Sequence, residues 1–583
     1  MHVDTIFRHA RFYNTFISTW ETQDIAVLKG IIYYIGDSNE AGLTADAYID
    51  CTSHTIIPGF IDIHLHIESS LCTPLEFSKA VLPLGVTTVV SEPHEIANVF
   101  GADGVFAMVE ASKGAPIDIF YGIPSSVPST SSELETTGGI IERQELTNIV
   151  EACPDMICLG EVMNYGTLIK DFQQLVSGEK QNRSLELIDE MKRRHPLAAI
   201  EGHCPSVRDL ELAKLLYLGI DSDHCLQDLE GMKQRFARGM FVELQEKSVN
   251  DELISYLEEH PVEWLYAFVT DDVPPDVLHR KGHLDHVIRK AMRRGLSLEK
   301  AIIASSSAPA RRMGLRDRGV IAPGKLADLI LLEGDGQALR VHSVFKRGLP
   351  SQTCIGDAPD YTFPQDYHNS IRLHNAINTA KLFSVPVKTS NNEVPCRIMQ
   401  KTSENTYTKE IIRSVPVTPD QLDWQSTGLN LVSVVSRYNT LDYAHGLLEG
   451  DQLTSGALCS SYAHDHHNLL TIGDNEEDMI IAFNRVVELQ GGICVVSNKR
   501  IIAEVPLPIG GILSDLPLEE LTGLVESVQE ALYNLGIRHH NPIMSLCTIT
   551  LPVSPELKIT DKGLVRTEDA ALIDLIIIPT ETD

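Results

Sequence analysis

Between residues 58 and 318 short apolar runs alternate with amphipathic stretches, and this alternation restricts the fold more than any other property of the chain. The runs are Phe60-Ile61-Asp62-Ile63, Val86–Val90, Ile117–Gly122, Ile157–Gly160, Ala198–Gly202, Gly219–Asp223, Met240–Leu244 and Leu265–Thr270. Helical spacing is seen between them, as in Ser184–Arg194 and Ser206–Leu218. Strands covered on both faces read as unbroken apolar runs, and each parallel pair needs a crossover, usually a helix. Alternation over about 260 residues predicts an α/β fold whose centre is a (β/α)8, TIM-like barrel. A doubly wound open sheet is the alternative. It fits less well, because the strand count is high and no glycine-rich phosphate turn follows the first strand.

The flanks of this region do not stand alone. Residues 1–57 contain strand-like segments, Asp24–Leu28 and Ile31–Gly36, too few to enclose a core. A matching turn and strand, Gly319–Lys325 then Ala327–Leu332, follows the barrel stretch. We therefore expect residues 1–57 and 319–365 to form one composite β-sandwich beside a barrel spanning 58–318. Residues 366–583 read as a further α/β domain, with helices at Glu476–Leu489 and Leu518–Leu535 and strands at Ile493–Ser497 and Ile501–Val505. The Pro-, Asp- and Ser-containing stretch Leu349–Pro364 is the expected linker.

Charge and cysteine use narrow the function. Eighty acidic residues against 48 Lys and Arg give a formal charge of −32, which argues against a nucleic-acid partner. The eleven cysteines include no CxxC pair and read as reduced thiols. The N-terminal sequence lacks a signal-peptide pattern, and no apolar run approaches the roughly 20 residues of a membrane helix. A cytoplasmic enzyme acting on a small ligand is the expectation.

Chemistry-bearing side chains recur where barrel strands would end. The first run closes in His64-Leu65-His66, and residues two apart on a strand share a face. Glu92-Pro93-His94-Glu95 follows the second run, and Glu161 follows the fourth. His203, His224 and Asp271 follow the fifth, the sixth and the last. Singly, each has an ordinary structural explanation. Together, histidines and carboxylates at successive strand ends suit one or two divalent cations, bridged by a carboxylate and a water. Such cations lower the pKa of bound water enough to supply hydroxide at neutral pH. A carboxylate at the last strand end can then carry a proton to a leaving amine.

Longer blocks point to a family. PGFIDIHLHIESS (58–70), LPLGVTTVVSEPHEIANVFG (82–101), GEVMN (160–164), VTDD, GHLDH (282–286) and RDRGVIAPGKLADLILL (316–332) resemble the adenine deaminases of the amidohydrolase superfamily. So do AHDHHN (463–468), NEEDM (475–479), PLPIGGILSDLP (506–517) and PVSPELKITDKGLV (552–565) in the C-terminal region. The resemblance implies a metal-dependent hydrolase barrel holding two divalent ions, Mn2+ or Fe2+, with Zn2+ compatible. It implies attack of metal-bound hydroxide on C6 of adenine, giving hypoxanthine and ammonia in purine salvage. Carried over, the metal-site residues are His64, His66, Glu161, His203, His224 and Asp271. Glu161 would be the bridging carboxylate and Asp271 the proton-transferring base. His94, Glu95, His283, His286, His464 and Asp465 are the candidate substrate contacts, and a homodimer is the implied assembly. The chain departs from the family pattern at GHCPS (202–206), SDHC (222–225), TDDV (270–273) and SRY (436–438), sparing the presumptive ligands but changing charged neighbours. A different purine, pyrimidine or cyclic amide as substrate, or a binding protein without turnover, are the competing readings.

Overall fold

The computed structural model describes residues 1–359 and 361–577; Asp360, inside the expected linker, and the end of the expected C-terminal domain after 577 lie outside the described residues. Eight strands follow the expected runs: β1 (Phe60–Leu65), β2 (Val86–Ser91), β3 (Asp118–Ile123), β4 (Met156–Val162), β5 (Ala199–Gly202), β6 (Ser222–Asp223), β7 (Phe241–Leu244) and β8 (Tyr266–Phe268). Strands β1 to β5 form one parallel sheet and β6 to β8 another. Two junctions join them into a ring. Asp221 donates its N–H to the Ile200 carbonyl at 3.1 Å, and Asp271 donates its N–H to the His64 carbonyl at 3.0 Å beside a parallel Leu65–Asp271 bridge. The chain thus builds a closed TIM-like barrel and not an open sheet.

All residues of β1 and β2 are buried, which is why these strands carry no inside–outside alternation in the sequence. Ile61, Ile63, Val90, Cys158, Ala199, Ala267 and Val269, drawn from strands around the ring, make a core of their own inside it. The opposite faces of the strands join the helical layer in the main core through Phe60, Val89, Tyr121, Leu159, Ile200, Val242 and Phe268. Local chemistry marks the helix ends. Asn182 and Asp228 accept the backbone N–H groups of Leu185 and Gly231 at 3.2 and 2.7 Å, capping the helices Arg183–Arg194 and Leu229–Ala237. The helix expected from Ser206 begins only at Asp209, because the chain turns through left-handed backbone at Ser206 (φ 60°).

The two flanks meet in one eight-stranded sheet. Its longest strand, His2–Asn14, pairs with Thr19–Leu28 along its length, with Thr44–Asp50 at its start and with His54–Pro58 at its end. A bulge between Phe7 and Ala10, with His9 at φ 55°, lets one strand serve both partners. The bulge also breaks the alternation, so this strand is hard to read from sequence. From the far flank, Leu329–Glu333 adds antiparallel to His54–Pro58. The expected linker is partly structured: Ser351–Gly356 forms a short helix whose Cys354 and Ile355 pack against the main core.

The C-terminal region is built on a nine-stranded mixed sheet. Adjacent residues of its strands face different cores. Cys494 and Val496 pack with Met479 and Phe483 of helix Glu476–Glu488, whereas Ile493 and Val495 join Val525 and Val528 of helix Leu518–Asn534. This second layer is continuous with the barrel's outer core. Ser514 donates its N–H to the Leu71 carbonyl at 2.8 Å, just beyond the β1 histidines. The C-terminal sheet therefore sits against the end of the barrel that carries the chemistry. Among the described residues no helix is long and apolar enough to cross a membrane.

Candidate metal centre and active site

Strand β1 carries a register shift against β2 between Asp62 and Leu65, immediately around His64. Bulges of this kind re-aim side chains. His64 and His66 both reach Asp271, their Nε2 atoms lying 3.9 and 3.5 Å from its Oδ1. Glu161, in β4, completes the group: its Oε1 is 3.4 Å from His66 Nε2, and its Oε2 is 2.7 Å from His203 Nδ1 and 3.3 Å from His224 Nε2. The His64 and His224 rings stack with centroids 3.8 Å apart. All six residues proposed as metal ligands from the sequence therefore converge at the mouth of the barrel. Glu161 stands between two sets, its two oxygens facing different histidines.

Outer contacts hold these groups in place. His66 Nδ1 lies 3.0 Å from the Glu92 carbonyl, so that nitrogen carries a proton and the ring is held with Nε2 facing the site. The Glu92 carboxylate also accepts the Glu161 N–H at 2.6 Å, and a Cβ at Gly160 would displace that carboxylate. Asp223, at the end of β6, ties two ligand loops together. Its Oδ1 accepts the N–H groups of Cys204 and Cys225 at 3.0 and 3.2 Å, while its Oδ2 accepts from Arg235 Nε at 2.7 Å and Gln227 Nε2 at 2.8 Å. Arg235 in turn donates to the Cys204 carbonyl at 2.9 Å. Asp271 has left-handed backbone (φ 60°), and its Oδ2 accepts from the Gln245 amide. Strain at a carboxylate of this kind is characteristic of functional positions.

The electrostatics fit a cation. Burial works against charge on Glu161 and Asp271, yet His224 and His203 hold Glu161, and His66 and His224 hold Asp271, well below the ordinary carboxylate range. Burial likewise disfavours charge on His224 and His66, but the adjoining acids raise His224 to about 9 and lift His66 well above its ordinary value. His64, by contrast, is pushed down to about 3 by burial and by His224, and its buried Nε2 has no hydrogen-bond partner among the described residues. A neutral imidazole with an unpaired nitrogen beside two ionised carboxylates is what a divalent ion needs, and protons on His66 and His224 occupy the charge deficit it would fill. Nitrogen and oxygen donors in this arrangement suit first-row divalent metals.

The expected substrate residues are not all brought together. His94 borders the centre, with Nδ1 3.8 Å from Glu161 Oε1. Glu95, His464 and Asp465 gather on its far side, where His464 Nδ1 is 2.8 Å from Glu95 Oε1. His283 is buried behind β1, its Nε2 3.2 Å from the Thr270 hydroxyl and its Nδ1 3.8 Å from Asp62. His286 lies elsewhere, facing Glu246 at 4.0 Å. Several groups escaped sequence reasoning. Gln245 lies just past β7, a run with no expected ligand. Glu243, within β7, brings a carboxylate oxygen near His64 and His224. Cys225, one of the departures from the family pattern, places a thiol near His203 and His224. His467, within AHDHHN, contacts Glu95, and no spacing in that block marks it.

A closed parallel barrel with a histidine–carboxylate centre at its strand ends defines the class of metal-dependent amidohydrolases, and comparison with known proteins agrees. Residues 55–158 and 264–353 match the amidohydrolase family, and residues 405–571 match the adenine deaminase C-terminal domain. A curated relative named adenine deaminase 2, from Shouchella clausii, is 43% identical over 99% of this chain and 99% of its own. An adenine deaminase of Clostridium perfringens is 41% identical over 99% of this chain and 100% of its own, and one of Lactobacillus delbrueckii subsp. bulgaricus is 36% identical over 98% and 99%. The chain belongs to the adenine deaminase family.

Proposed function

We propose that the protein hydrolyses adenine to hypoxanthine and ammonia, as part of purine salvage. The convergence of His64, His66, Glu161, His203, His224 and Asp271 carries this reading. These residues would hold a pair of divalent ions, Mn2+ or Fe2+, with Glu161 between them. Divalent ions bound there would supply Lewis acidity, lowering the pKa of a water toward neutrality. The remaining work falls to the chain. Asp271 takes the proton from the attacking water and delivers it to the departing amine, a transfer for which the Gln245 amide fixes its orientation. His94, with its Nδ1 turned toward Glu161, stands where it can meet the base. The Asp223–Arg235 pair keeps the His203 and His224 loops at fixed separation. A cytoplasmic homodimer is part of the same reading, on family resemblance alone.

The test is a substrate profile of the purified, Mn2+-loaded protein against adenine, other aminopurines, aminopyrimidines and cyclic amides. Adenine should give the highest kcat/KM, with stoichiometric ammonia. A higher kcat/KM on another compound would transfer the reading to that substrate. Metal-loaded protein inert across the whole panel would make it a binding protein.

A further inference from the structure

Beyond the barrel centre, a second group of metal-ligating side chains lies between the barrel and the C-terminal sheet. Glu95 and His94 begin the helix His94–Phe100 that follows β2, while His464, Asp465 and His467 come from the loop after strand Ala457–Ser460. Donor atoms of His94, Glu95 and Asp465 all lie within 4.8 Å of one another, and all three residues are buried. His464 Nδ1 is 2.8 Å from Glu95 Oε1 and 3.5 Å from Asp465 Oδ1, and His467 Nε2 contacts Glu95 Oε2.

Hydrogen bonding within this group does not satisfy it. Glu95 is matched by His464 and His467, and the second nitrogen of His467 accepts the Ala463 N–H at 3.2 Å. Asp465 Oδ2 and His464 Nε2, on side chains 2% and 6% exposed, have no hydrogen-bond partner among the described residues. His94 Nε2 is 3.6 Å from Glu95 Oε1, too far for a hydrogen bond. Two carboxylates and three imidazoles enclosed with unpaired polar atoms carry a free-energy cost that a divalent cation removes. The donors are nitrogen and oxygen without thiolate, the set favoured by first-row divalent metals.

We propose that His94, Glu95 and Asp465, with His464 beside them, form a further divalent-cation site, separate from the barrel centre, that fastens the C-terminal region to the barrel. The His94 ring links the two centres, its Nδ1 facing Glu161 and its Nε2 facing Glu95. The site does not depend on which substrate the enzyme uses.

Anomalous diffraction from full-length protein loaded with Mn2+, and separately with Zn2+, tests this directly, together with elemental analysis of metal per chain. We expect an anomalous peak between Glu95 and Asp465 in addition to those among the barrel ligands, and one more equivalent of metal than the barrel holds. Asp465→Asn and Glu95→Gln should each erase that peak and remove one equivalent while the barrel peaks persist. His64→Ala should do the reverse. Peaks confined to the barrel with both metals, at concentrations that fill it, would overturn the proposal. Absence of barrel peaks with the Glu95–Asp465 peak present would instead count against the proposed function.

Discussion

At the scale of single residues, Asp271 concentrates several roles: its backbone closes the barrel, and its carboxylate faces two histidines and the Gln245 amide. If its principal work is proton transfer, Asp271→Asn should retain metal but lose at least about 100-fold in kcat, the usual scale of general acid–base catalysis. Metal analysis beside steady-state kinetics checks this, and near-normal kcat would remove Asp271 from the role. Gln245→Leu should leave metal content unchanged and lower kcat by about tenfold, since the base then loses the donor that orients it. An effect confined to KM would place Gln245 at the substrate instead. His66→Ala removes a nitrogen lying 3.4 and 3.5 Å from two carboxylates, so it should lower bound metal as well as activity.

At the scale of elements, the buried Asp223–Arg235 pair decides whether two loops stay in register. Both side chains are no more than 2% exposed, and breaking such a pair leaves an uncompensated charge. Arg235→Met should destabilise the protein by about 3–5 kcal/mol in denaturant titration and weaken metal retention, because the loops bearing His203 and His224 are both tied to Asp223. Loss of stability without loss of metal would separate the pair from the site. These elements also show what a sequence can and cannot disclose. The barrel strands are legible because parallel strands buried on both faces become uninterrupted apolar runs. The ligands are legible because each ends such a run. Strand His2–Asn14 is not, because its bulge breaks the pattern. Gln245, Arg235 and His467 are not, because a residue that orients another is chosen by tertiary geometry and has no spacing of its own. His286 shows the converse: it lies in a family-like block, GHLDH, yet the fold turns it toward Glu246.

At the scale of the whole molecule, the flanking sheet is fastened to the barrel through Asp118, which begins β3. Burial opposes its charge, but Lys346, Arg318 and Arg347, at 2.6 to 2.9 Å, hold it down at about 2. Because this value lies below the unfolded one, the resulting stability is fully present above about pH 4 and is lost as pH falls through 2. It amounts to about 2 kcal/mol. Asp118→Asn should therefore lower stability at pH 7 by at least that amount and flatten its decline between pH 5 and 2.5; denaturant midpoints across that range measure it, and parallel curves for the two proteins would exclude the linkage. The metal centre, the C-terminal cover and this flanking sheet all depend on one closed barrel, and the central claim is that the barrel residues make it a metal-dependent adenine deaminase. Ammonia release from adenine, measured on protein stripped by a chelator and again after Mn2+ is restored, tests that claim most directly. Release should be absent from the stripped protein and return in proportion to the metal bound. Release undiminished by complete metal removal, or none from protein that holds its full complement of metal, would contradict it.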